Sequence, residues 1–147
     1  MRIAVFVDWE NLGRDVIHVQ DSCQEFKSAF DYNKCSHVMT LIHAFLNPDE
    51  KLYRVFFYTA TPLSIDGKKE SKRLAGFSGY LKNHQEAFFK MKQRSDQIKK
   101  FITEISFEKF VALRLGSLQL RGVNHNGLDV IQKQVDILLG LDIACGL

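Results

Sequence analysis

The stretch Arg2-Ile3-Ala4-Val5-Phe6-Val7-Asp8 decides how the rest of the chain is read. A near-continuous apolar run closed by a carboxylate predicts a strand covered on both faces, as in a parallel sheet. Parallel strands need long crossover connections, usually helical, and the sequence that follows supplies them. Residues 15–30 carry Val16, Val19, Cys23, Phe26 and Phe30 at steps of three and four, which predicts one amphipathic helix. A second helix is expected to carry Val38, Leu41, Ile42 and Phe45, capped by Asp31 or Asn33 and stopped at Asn47-Pro48. Residues 52–60, aromatic and β-branched, predict a second strand, and Pro62 and Gly67 mark a loop.

Residues 68–94 place Leu74, Phe77, Leu81, Phe88 and Met91 on one stripe among lysines and arginines. They predict a long basic helix, weakened locally at Gly76 and Gly79. Residues 96–105 continue as a helix carrying Ile98, Phe101, Ile102 and Ile105. Residues 110–121 predict a third strand, bent at Gly116. A polar loop over 122–128 and a final helix over 129–145 complete the expected order, the helix carrying Val130, Val135, Leu138, Leu139 and Ile143. Strands separated by helices give an α/β fold with a largely parallel sheet. A last apolar helix with no strand after it predicts a domain cut short of its returning strand.

The 147 residues are 46% apolar and 25% charged, which suits one globular domain. Two prolines and nine glycines exclude a collagen-like or low-complexity chain. No apolar stretch approaches the roughly 18 residues of a membrane span, and the first apolar run is too short for a signal peptide, so a cytoplasmic location is expected. Cys23, Cys35 and Cys145 show no C-x-x-C spacing, which argues against a disulfide framework or a zinc site. The net charge is only +3, but Lys68–Lys100 holds ten Lys/Arg and three acids, a local +7 against −4 for the remainder. Such asymmetry suggests local contact with an anionic partner. In particular Lys68, Lys69, Lys72 and Arg73 cluster just after the loop that follows the second strand, a candidate contact for anionic groups.

Asp8 falls where the first strand ends, and ligands of open parallel sheets bind outside the carboxyl ends of strands. Asn11 follows three residues on, able to fix the carboxylate across the first helical turn, although either residue would also serve as an N-cap. Asp136 lies among apolar neighbours, costly unless paired or metal-bound. Asp142 comes six residues later, about 120° around the helix axis, so the two aspartates do not share one face. No P-loop, dinucleotide fingerprint, H-E-x-x-H or G-x-S-x-G pattern is present.

Ile3-Ala4-Val5-Phe6-Val7-Asp8-Trp9-Glu10-Asn11-Leu12 resembles the opening of NYN domains, a branch of the PIN-like ribonucleases. Arg54–Tyr58 is similar to that family's second strand, and Lys133-Gln134-Val135-Asp136 through Asp142 to its K-x-V-D-x-x-x-x-x-D segment. NYN domains continue into a further strand ending in G-D-x-D-F, which this sequence lacks. The resemblance implies a PIN-like three-layer sandwich and a metal-dependent endoribonuclease acting on single-stranded RNA. It implies Asp8 and Asp136 as ligands of Mg²⁺ or Mn²⁺, Asn11 as the orienting partner of Asp8, and Asp142 as an accessory carboxylate. On that reading Asp8, Asn11 and Asp136 converge at the carboxyl edge of the sheet with oxygens within about 8 Å. Two other readings stay open: a non-catalytic RNA-binding or protein-interaction module, and a small-molecule hydrolase built on Asp8; a homo-oligomer is compatible with each.

Overall fold

A computed structural model describes residues 1–63, 77–124 and 127–146. Strand β1 (Arg2–Asp8) leads into helix α1 (Trp9–Ser22), followed by α2 (Gln24–Ala29) and α3 (Cys35–Ala44). Strand β2 (Lys51–Thr61), helices α4 (Phe77–Asn83) and α5 (Gln85–Ser106), strands β3 (Val111–Asn124) and β4 (Gly127–Lys133), and helix α6 (Val135–Ala144) complete the order. The four strands form one sheet in the order β1-β2-β3-β4. β1, β2 and β3 run parallel, and β4 returns antiparallel to β3. The expected α/β fold with a mostly parallel sheet is present. No helix among the described residues is long and apolar enough to cross a membrane.

The central strand β2 is the most buried, with Val55, Phe56, Phe57, Tyr58 and Thr59 all inside. Alternation sends these residues to two different layers. On one face Val7, Val55 and Phe57 pack with Cys35, Val38, Met39 and Ile42 of α3 and Phe101 and Ile105 of α5. Trp9 extends this core, its ring 5.4 Å from Phe57 and 5.3 Å from Phe101. On the opposite face Phe56 and Tyr58 pack beneath Val135, Leu138 and Leu139 of α6. Helices therefore cover both faces, by different means.

Several local expectations are corrected. The segment over 15–30 is two helices, because the backbone becomes extended at Cys23, and Val19 of the expected stripe is exposed. The third helix is capped at Lys34 without a side-chain bond; Asp31 instead accepts from the amide of Asn33. Residues 85–106 are one helix with its break at His84, so the two helical stretches expected there share a single stripe of Phe88, Met91, Ile98, Phe101 and Ile105. Residues 127–133 are a strand, not the start of the last helix. A short apolar run such as Val130-Ile131 serves either period, and cross-strand pairing with β3 selects the strand. The irregularity of β3 falls between Leu120 and Gly122, not at Gly116. β1, expected to be covered on both faces, ends the sheet; Val7 is buried, Arg2 exposed and the rest half-buried.

Candidate functional site

Asp8 occupies the junction of β1 and α1, where it serves as the helix N-cap. Its Oδ1 accepts the Asn11 backbone amide at 3.2 Å, and its Oδ2 accepts Asn11 Nδ2 at 2.7 Å. Both readings of D-x-x-N thus hold at once: the carboxylate caps the helix and the amide fixes its rotamer. Arg14, one turn along, donates to the Asn11 side-chain oxygen. The result is an ordered Asp8–Asn11–Arg14 chain at the carboxyl end of the parallel strands. Asp8 is half-buried, and Asn11 and Arg14 are exposed.

The register brings a second group to the same level. Asp8 pairs with Tyr58, and Tyr58 with Arg114, so the three residues form a row across β1, β2 and β3. Residues paired across a sheet share a face, and this is the face that α6 covers. Asp142, on the inward side of α6, accepts from the Tyr58 hydroxyl at 2.6 Å and from Arg114 Nε at 2.8 Å. The Arg114 guanidinium also lies 5.4 Å from the centre of the Phe56 ring. The Tyr58 hydroxyl bond, followed by the Arg114 ion pair, holds the Asp142 carboxyl below its usual range. Burial, then the adjacent Asp142, raises the Tyr58 phenol well above the ordinary tyrosine range. The triad keeps an ionised carboxylate and a neutral phenol together beside the apolar inner face of α6.

Asp142 was expected at the helix surface or as an accessory carboxylate; it is 8% exposed, with both partners far away in the chain. The spacing argument placing Asp136 on another face holds, since Asp136 is exposed in the first turn of α6. Its apolar neighbours Val135, Leu138 and Leu139 turn inward and leave it in solvent. α6 begins beside Lys133, which pairs with Ser117 midway along β3, level with Thr61 at the carboxyl end of β2. Asp136 therefore follows the same sheet edge as Asp8. The intervening strand sets β1 and β3 about 10 Å apart, and Ser117 lies three residues beyond the level of Asp8.

The structure joins Asp8 to Asn11 and Asp142 to Tyr58 and Arg114, and among the described residues no hydrogen bond links Asp136 to either group. Among the described residues no group of three or more His, Cys, Asp or Glu stands close enough to hold a metal ion. Asp8 by itself offers carboxylate oxygens, the donor type that hydrated Mg²⁺ accepts, and no all-protein cage stands around it among the described residues. Lys68, Lys69, Lys72 and Arg73 lie outside the described residues. Tyr58 and Arg114 were not singled out from sequence. The only signal was a tyrosine and an arginine at apolar-strand positions, which demand a partner when buried. Matched against models of known families, curated proteins and solved structures, the chain finds no counterpart in any of the three.

Proposed function

We propose that the chain is a metal-dependent endoribonuclease-type domain of PIN-like architecture that acts on single-stranded RNA at Asp8. The observation carrying this reading is the 2.7 Å bond from Asn11 Nδ2 to Asp8 Oδ2 at the carboxyl edge of three parallel strands. It holds a half-exposed carboxylate in one rotamer at the position where such sheets bind ligands. Asp8 is the carboxylate for Mg²⁺ or Mn²⁺, and Asp136, along the same edge, is the second. The cation supplies charge neutralisation at the scissile phosphate and a more acidic bound water. Asn11 holds Asp8 in place, and Arg14 holds Asn11. Lys68, Lys69, Lys72 and Arg73 contact the flanking phosphates. Asp142 is withdrawn from the ligand set by Tyr58 and Arg114, and its role is to seat α6.

That withdrawal favours a second reading, a non-catalytic RNA-binding module on the same surface. Cleavage of labelled single-stranded RNA in Mg²⁺ or Mn²⁺, with binding measured in parallel, separates the two. Asn caps a helix as well as Asp does, so Asp8→Asn removes the charge and keeps the fold. Cleavage should fall at least about 100-fold in Asp8→Asn, and about 10-fold or more in Asn11→Ala. Binding without cleavage by the unaltered chain supports the second reading. Neither binding nor cleavage overturns both.

A further inference from the structure

We propose that the stacked rings of Tyr80 and His84 form a platform on which one base of single-stranded RNA lies, remote from Asp8. The inference rests on RNA binding as proposed above, and not on cleavage or on a metal.

Tyr80 lies in the last turn of α4, and His84 is the N-cap of α5. A spacing of four puts the two side chains on one side of a helical turn. Their rings stack with centres 4.2 Å apart and planes 16° from parallel. His84 Nδ1 stands 3.0 Å from the Tyr80 carbonyl oxygen. A carbonyl only accepts, so Nδ1 carries the hydrogen, and this bond holds the imidazole in one orientation over the phenol. The His84 backbone amide donates to the same oxygen. Tyr80 in turn is braced by the start of β4, where a Cβ on Gly127, φ 123°, would stand 3.5 Å from the Tyr80 hydroxyl. Tyr80 is half-buried and His84 exposed. One imidazole face is therefore covered by Tyr80, and the other is open to solvent.

Single-stranded nucleic acids are held by aromatic faces that stack bases, set among cations that track the phosphates. Rings already locked together add no ordering cost when a base arrives. The surrounding charge suits the phosphates. Residues 77–94 hold Lys82, Lys90, Lys92 and Arg94 against one acid, Glu86. Glu86 pairs with Lys90 at 2.7 Å, whereas Lys82, Lys92 and Arg94 are exposed and form no ion pair among the described residues. Further along α5, Lys99 and Lys100 are offset by Asp96 and Glu104. The uncompensated positive charge thus lies at the His84 end of the helix. A protein interface disfavours charge at its centre, so this setting favours RNA as the occupant. Asp8 is level with Arg114, and β3 runs on from there to Asn124, opposite Gly127. At the rise of an extended strand the platform stands roughly 30 Å beyond Asp8, on the carboxyl side of the sheet. An RNA reaching both places spans several nucleotides, and the platform meets a base far from the bond at Asp8.

Fluorescence anisotropy in EDTA tests the platform with two probes, a single-stranded RNA of about 20 nucleotides and an abasic oligomer of equal length and charge. His84→Ala should weaken RNA binding about ten-fold and leave the abasic oligomer unaffected, since its phosphates still meet the lysines. His84→Phe keeps a flat ring over Tyr80 and should bind RNA as the unaltered chain does. Lys82→Ala should weaken both probes and lower the log–log salt slope by about 0.7. Circular dichroism confirms that each variant is folded. RNA affinity unchanged in His84→Ala overturns the platform, as does an equal loss toward RNA and the abasic oligomer, or a His84→Phe variant as weak as His84→Ala. An unaltered chain that binds no RNA overturns the RNA reading itself, and the platform with it.

Discussion

The two faces of the sheet are built on different principles. Beneath α3 and α5 the core is apolar, and Phe57 forms a triangle of rings with Trp9 and Phe101, their centres 5.4 and 6.0 Å away. Cys35 sits in the same layer, and burial, reinforced by nearby Glu108, pushes its thiol up to about 12. Beneath α6 the buried apolar cluster is smaller, and Asp142 is clamped beside it by Tyr58 and Arg114. α6 also leaves Ile137, Leu141 and Ile143 exposed on its outer side. The comparison teaches where stability and specificity reside. Apolar area stabilises the first face without fixing a register. The triad stabilises less, but only one seating of α6 satisfies it.

The largest expected effect is on the apolar face. Phe57→Ala removes a fully buried ring and should destabilise the fold by about 3–5 kcal/mol in urea denaturation. A loss no larger than that of a surface substitution would mean that the α3/α5 layer is not the principal core.

Next comes the seam between β3 and α6. A Cβ at Gly116 would collide with the Lys133 carbonyl oxygen and with Val135 Cγ2. The backbone oxygen cannot rotate away, so Gly116→Ala should cost about 1–3 kcal/mol, read by the same denaturation. A neutral result would show α6 free to shift on the sheet, and would blur the contrast between the faces.

The smallest effect is the most diagnostic. Tyr58→Phe should cost about 1–2 kcal/mol at neutral pH, because it removes one hydrogen bond to a buried carboxylate. It should also change the acid limb of stability. Asp142 has its folded pKa depressed below the ordinary 3.8. Its contribution is therefore complete above about pH 4 and is lost as pH falls through the folded value. The Tyr58 bond is the leading cause of that depression, so the loss on acidification should be smaller in Tyr58→Phe. Phe57→Ala should lower stability without altering the shape of this limb. Identical acid limbs in Tyr58→Phe and the unaltered chain would remove the triad from the account.

Much of the fold is legible in linear order. The run Ile3–Val7, the aromatic strand around Phe57, and the stripe Phe88–Met91–Ile98–Phe101–Ile105 each state their structure through local periodicity. The Asp8–Asn11 pair was legible for the same reason, since a three-residue spacing across a helix N-terminus is a local geometry. What stayed hidden depends on partners distant in sequence. Val130-Ile131 became strand because β3 was beside it. Gln134 took a left-handed conformation, φ 77°, to turn the chain from β4 into α6, a cost that only the packing on both sides sustains. Asp142 found Tyr58 across 84 residues and Arg114 across 28. By itself the sequence determined which segments are helical or extended wherever a single period is consistent with the residues. Tertiary structure alone decided the strand order, the edge position of β1 and the partners of Asp142. Pairing and ion-pair energies depend on distance in space, which the spacing of residues along the chain does not specify.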